Sequence, residues 1–162
     1  METETPTYLW FLIPVLFIVF FSAMWLGVTS LLGLLSGWFR LQNAFPDHPE
    51  QPIEQFRMQT GMMGGLGFMP VNFKHCLRLD VCPTGLRVRV AKLLGPFQSP
   101  FFVPWSSISA ERGKFLFGSY YRLKFGMPEV GALSLHAGVV QKIAALGPLR
   151  LPDVSPAAAT VR

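Results

Sequence analysis

The sequence predicts an α+β protein: one N-terminal transmembrane helix, then a small antiparallel β barrel or sandwich, then a C-terminal amphipathic helix. Three observations predict it. Tyr8 to Phe39 is a run of 32 residues without a charge. Strand-like alternation occupies most of the chain between Phe56 and Phe125. A helix-period apolar stripe then runs up to Gly147-Pro148. The implied layout is a short N-terminal segment 1–7, an anchor 8–39, a linker 40–55, a β domain 56–147 and a disordered tail 148–162.

The apolar run reads as a membrane helix because lipid offers backbone groups no hydrogen-bond partner outside the helix itself. A cleaved signal would carry a basic n-region and an apolar core of roughly 7–15 residues. Here Glu2 and Glu4 precede a longer run, and no Ala-x-Ala site closes it. At about 1.5 Å per residue the run exceeds the ~30 Å hydrocarbon layer, so part of it must tilt or leave the core. Trp10 and Trp38 fit aromatic belts at the two interfaces, with Arg40 placed to snorkel. All 14 Lys and Arg residues follow the run. The positive-inside rule therefore predicts an N-out, C-in single-pass protein. Ala23-x-x-x-Gly27 and Gly33-x-x-x-Gly37 have the small-residue spacing that lets membrane helices approach closely.

Composition supports a membrane-attached chain, with 51% hydrophobic and only 14% charged residues. From Lys74 to Arg150 there are 11 Lys and Arg against Asp80, Glu111 and Glu129. That excess suits an anionic inner leaflet, which attracts each nearby basic residue by about 1 kcal/mol. No recognition helix or aromatic-basic motif points to nucleic acid. Cys76 and Cys82 are the only cysteines, not spaced as CxxC, and His48, His75 and His136 are scattered. Both cysteines read as reduced packing or surface residues rather than zinc ligands. No cofactor is implied.

Residues 40–59 are polar and punctuated by Pro46, Pro49 and Pro52, with at most a short helical piece around Ile53–Met58. The stretch Gly61 to Gly67 lacks Gly-Lys-Ser/Thr, and Pro70 forbids a following helix, so it reads as a turn or bulge rather than a phosphate loop. Strands are expected at Phe56–Met62, Phe73–Val81, Leu86–Leu93, Phe101–Val103, Ile108–Phe117, Tyr120–Phe125 and Gly131–Leu133. Pro83-Thr84-Gly85 is turn chemistry, which pairs Val81 with Leu86, Leu79 with Val88, Asp80 with Arg87 and Arg78 with Arg89. One face of this hairpin is oily, and the other carries the charges as an exposed surface. On that reading Arg87→Ala with Arg89→Ala leaves folding intact. A second hairpin turns at Gly118-Ser119, and a final helix is capped by Ser134, with Leu135, Val139, Ile143 and Leu146 as its stripe. Six or seven antiparallel strands followed by one helix is the order of a pleckstrin-homology-like domain.

The segments Gly61-Met-Met-Gly64-Gly65, Asn72-Phe-Lys-His-Cys76-Leu, Pro83-Thr-Gly85-Leu86 and Ser99-Pro-Phe-Phe-Val-Pro-Trp105-Ser-Ser-Ile108 resemble a family of small bacterial membrane-anchored proteins. The resemblance covers residues 38–125 and is most specific at Pro104-Trp105-Ser106. It implies a bacterial origin and this layout, and no activity. Gln98-Ser99-Pro100 stands where His-Pro-Pro is common in the family.

Ser106, Ser107 and Ser109 have no local His or Asp partner in a triad-like arrangement, and few carboxylates lie in the domain. The expected function is therefore binding rather than catalysis. The main expectation is an accessory or assembly subunit of a larger complex in the bacterial inner membrane. The alternative is an anionic-lipid-binding module at the inner leaflet. Candidate lipid- or partner-binding residues are Arg78, Arg87, Arg89, Arg122, Lys124, Phe101, Phe102 and Trp105. For Trp105 the competing expectation is core packing, with its indole N–H on a backbone carbonyl. Expected partners are membrane lipids and another membrane protein.

Overall fold

The uncharged run satisfies its own backbone as a helix, α1, Thr7–Leu35, which carries Pro14 without a break. The computed structural model describes residues 7–64, 70–115 and 118–152. Among these, Trp10–Leu35 is the one helix long and apolar enough to cross a membrane, which supports a single-pass membrane protein.

The helix ends before the uncharged run does. Gly37 adopts φ 76° and ψ 13°, a left-handed conformation that costs glycine little and other residues more. A second helix, α2, Trp38–Ala44, then follows. Trp38, expected at the membrane interface, is instead fully buried in the folded domain. Its ring lies 5.9 Å from Phe73 and 5.0 Å from Phe101, and its indole N–H donates to the Ser99 carbonyl at 2.8 Å. An uncharged stretch is equally at home in lipid and in a protein core, so composition could not place this boundary.

Seven strands follow: β1 Glu54–Gly64, β2 Val71–Val81, β3 Gly85–Val90, β4 Phe101–Pro104, β5 Ile108–Phe115, β6 Gly118–Phe125 and β7 Gly131–His136. They form one antiparallel sheet in the order β4-β3-β2-β1-β7-β6-β5. The sheet curls into a half-barrel, and a C-terminal helix, α3, Ala137–Leu146, packs on β6 and β7. This is an α+β, pleckstrin-homology-like fold with flanking helices. Leu77, Leu79, Val88, Leu123, Leu133 and Leu135 supply the core from the strands. Phe101 meets Phe125 across the curl with ring centroids 6.0 Å apart. Trp38 and Leu41 of α2 and Val140 and Ile143 of α3 complete it.

The expected β2–β3 register is present in full, from Val81 opposite Leu86 through Arg78 opposite Arg89. Elsewhere tertiary pairing redraws local expectations. The segment Ile53–Met58 is not helical, because Glu54–Phe56 pairs with Leu79–Val81. Gly61–Gly64 is strand rather than turn, paired with both β2 and β7. Gly118 and Ser119 belong to β6, opposite Phe115 and Lys114. Residues 65–67 and 116–117 of the predicted segments lie outside the described residues.

Ser134 and Leu135 continue β7, because both β1 and β6 offer them partners. The cap of α3 is therefore His136, whose Nδ1 accepts from the Gly138 N–H at 3.2 Å. Its buried residues are Val140 and Ile143, while Leu146 is exposed. Past the helix, Leu149 is buried in the core, so the chain stays packed beyond Gly147. The rest of the expected tail, 153–162, lies outside the described residues.

Candidate functional site

On the outer face of the β2–β3 hairpin, Arg78 stands opposite Arg89 and Asp80 opposite Arg87. Alternation places these charges together, but their partners differ from the cross-strand pairing. Asp80 is fully buried, and two arginines clamp it. Arg78 Nε donates to Oδ1 at 3.2 Å, and Arg89 Nε lies 3.0 Å from Oδ2 as an ion pair without hydrogen-bond alignment. The Arg78 guanidinium also donates to Gln55 Oε1 on β1. Both arginines remain about one-third exposed, so their outer N–H groups are available to solvent or to a ligand.

These two side chains line a cleft of about 400 Å³ together with Arg57, His75, Lys92 and Gln98. Four cations, Arg57, Arg78, Arg89 and Lys92, thus line one cleft, and two of them, Arg78 and Arg89, pair with the buried Asp80 carboxylate. Two of the lining residues, Met58 and His75, have φ of 54° and 52°. Non-glycine residues in the left-handed region carry strain, and such residues recur at binding sites. They lie within the two register shifts between Phe56 and Gly61, Met58 in the first on β1 and His75 in the second on β2.

The other basic candidates lie elsewhere. Arg87 is not on an exposed charged face: residues 47–50 cover it, leaving its side chain 4% exposed. Its Nε donates to Asp47 Oδ1 at 2.7 Å and Nη1 to the Glu50 carbonyl at 3.1 Å, while Nη2 donates to the His48 carbonyl. This residue fastens the linker to the sheet. Arg122 and Lys124 on β6 pair with Glu129 and Glu111 respectively. Phe101 and Phe102 are buried and offer no apolar edge, while Phe97 beside them is 55% exposed. Trp105 is half-buried in a 3-10 turn, Trp105–Ser107, and its indole N–H donates to the Cys82 and Pro83 carbonyls at 3.1 and 3.2 Å.

The cleft abuts the loop between β3 and β4, and that loop packs against α1. Gln98 Nε2 donates to the Thr29 carbonyl at 3.4 Å, and Trp25 Nε1 donates to the Leu93 carbonyl at 3.2 Å. Trp25, Thr29 and Gly33 recur at helical spacing and form the face of α1 turned toward the protein, which the buried Ser36 continues just past the helix end. Gly33 is therefore not free for another helix: a Cβ there would meet Gln98 Nε2 at 2.9 Å and the Phe39 ring at 3.1 Å. Gly37 is the break between the helices. Ala23 and Gly27 are exposed, with open space around Gly27.

Gly33→Leu should thus overpack the protein's own loop, at about 1–3 kcal/mol. Gly27→Leu should leave the fold untouched. Limited trypsinolysis after Lys92 in mild detergent checks this: cleavage should rise in the first variant only.

Cys82 is buried and Cys76 half-buried, and both are free thiols. Burial pushes both thiols above the usual range, more than nearby Arg87 lowers Cys82. Neither is therefore an activated nucleophile. Among the described residues no three His, Cys, Asp or Glu side chains come together as metal ligands would.

Arg57, Lys92 and Gln98 escaped the sequence reading because they reach the cleft from two segments outside the β2–β3 hairpin, Arg57 from β1 and Lys92 and Gln98 from the loop between β3 and β4. The only local signal was the excess of basic residues. No protein-family model, curated protein or solved structure matches the chain.

Proposed function

We propose that this is a non-catalytic, membrane-anchored binding protein whose pleckstrin-homology-like domain holds anionic lipid headgroups in the Arg57–Arg78–Arg89–Lys92 cleft. One observation carries the reading. Four cations converge on a single cleft whose rim, the β3–β4 loop, is bonded to the helix that can cross the membrane. A phosphate-bearing headgroup suits exposed guanidinium N–H groups held in place by a buried carboxylate. Placement of every Lys and Arg after the apolar run supports an N-out, C-in orientation, with the domain on the anionic cytoplasmic leaflet of a bacterial inner membrane.

The test is titration of the detergent-solubilised full chain with short-chain phosphatidylglycerol, with phosphatidylcholine as control. Phosphatidylglycerol should bind more tightly, and its advantage should shrink with added salt. Arg57→Gln with Lys92→Gln spares the Asp80 clamp and should weaken binding ~10–30-fold, at about 1 kcal/mol per basic residue. Equal affinity for the two lipids, or an unchanged double variant, would overturn the reading. A stoichiometric membrane protein co-purifying with the chain would then favour the accessory-subunit reading.

A further inference from the structure

The β3–β4 loop, residues 91–100, carries three large apolar side chains on its outside. Leu93 is 78% exposed, Phe97 55% and Leu94 40%. Three such residues on one short loop are unusual for a surface bathed in water. They are also not in the usual place for a soluble loop. Leu93 lies against α1 at Trp25, and the two help to line an apolar groove of about 460 Å³ with Phe21, Ser22 and Leu26.

The depth of that contact follows from helix geometry. Trp25 lies ten residues before Leu35, the end of α1, or about 15 Å along the axis. The apolar segment Trp10–Leu35 has 26 residues, about 39 Å, against a hydrocarbon layer of ~30 Å. If the hydrocarbon ends at Leu35, Trp25 is about 15 Å inside it; if it begins at Trp10, Trp25 is still about 6 Å inside. Either placement puts Leu93 below the hydrocarbon boundary, and the shallower one, about 6 Å deep, keeps the adjacent Lys92 within snorkelling reach of the headgroups.

Backbone at that depth must have its polar groups satisfied within the protein. The loop meets that condition at its turns and at its contacts with α1, while Gln98 Oε1 stays buried without a partner. Its turns bond Leu94 N and Gly95 N to the Ala91 carbonyl at 2.8 and 3.1 Å, and Gln98 N to the Gly95 carbonyl at 3.1 Å. The Leu93 carbonyl is taken by the Trp25 indole, and the Gln98 side chain donates to Thr29. Lys92, at the base of the loop, lines the basic cleft.

We infer that the β3–β4 loop is a membrane-inserted wedge, with Leu93, Leu94 and Phe97 in contact with the acyl chains of the bilayer that α1 crosses. The partner is the lipid hydrocarbon itself, because the wedge is continuous with the exposed apolar surface of α1. Insertion of this loop gives the domain a second attachment, which fixes its orientation on the membrane and holds the mouth of the cleft at headgroup level. The wedge does not depend on headgroup selectivity, so either can fail without the other.

Its test uses the native full chain in nanodiscs containing a phospholipid with a diazirine on the acyl chain. After irradiation and trypsin digestion, the peptide from Leu93 to Arg112 should carry label at a yield comparable to α1. The peptide from Phe125 to Lys142 should carry none. Label confined to α1 would overturn the inference.

A second measurement guards against poor photochemical yield. A nitroxide at Leu93→Cys, in a Cys76→Ser, Cys82→Ser background, should be more accessible to oxygen than to a water-soluble nickel chelate, as at Phe20→Cys. Nickel accessibility equal to that at Lys74→Cys places the loop in water and overturns the inference. Exclusion of both reagents indicates a protein partner over the loop and overturns it equally.

Discussion

Trp38→Ala is expected to cost about 3–5 kcal/mol, the range for truncating a fully buried aromatic. The indole fills the space between β2 and β4, against Phe73 and Phe101, and is 0% exposed. Its removal leaves a cavity where α2 docks and leaves the Ser99 carbonyl without its 2.8 Å donor. For a domain of about a hundred residues, each kcal/mol shifts the midpoint by roughly 4–8 °C. Thermal unfolding of the full chain in mild detergent should therefore fall by at least ~12 °C. Trp38→Phe keeps most of the packing and should lose much less. A belt residue at the membrane interface would behave differently, and its truncation would leave the domain's melting unchanged. Melting of Trp38→Ala within a few degrees of the parent would restore that interfacial placement.

Arg87→Ala carries the second large effect, an expected loss of about 2–3 kcal/mol. Truncation of a buried ion-pair partner can cost about 3–5 kcal/mol, but Asp47 is 41% exposed and can be rehydrated, which lowers the figure. What is lost is a three-pronged clamp on Asp47, His48 and Glu50. Arg87→Lys should rescue little, since an ammonium group lacks the planar fork that meets those three acceptors. Hydrogen exchange should show the linker around 47–53 opening before the rest of the domain. Arg89→Ala alone should cost less, because Arg78 still holds Asp80. This reverses the expectation that Arg87 and Arg89 are equivalent surface charges. Unchanged stability of Arg87→Ala would reinstate it.

That reversal shows where local pattern stops being informative. Alternation places Arg78, Asp80, Arg87 and Arg89 on one side of the hairpin, and they are there. It assumes that this side faces water. The linker, Phe45 to Ile53, bonds to Phe102 and Val81 and crosses over half of it. Arg87 falls under the linker, whereas Arg78 and Arg89 fall beside its edge.

What the sequence determined by itself is what short-range physics decides. A long uncharged run must be helical in lipid, and Pro83-Thr84-Gly85 between alternating segments sets a hairpin and its register. Strand order by type and a closing helix follow from the same periodicities, enough to reach the fold class. Only the tertiary structure decided the rest. The end of α1 at Gly37, the extension of β7 through Leu135 and the burial of Leu149 depend on partners distant in sequence. The basic cleft joins Arg57, Arg78, Arg89 and Lys92 across three strands and a loop. The wedge exists only because residues 93 and 25 meet. A side chain's chemistry is carried in the sequence, but its dielectric surroundings are made by whatever the fold lays against it.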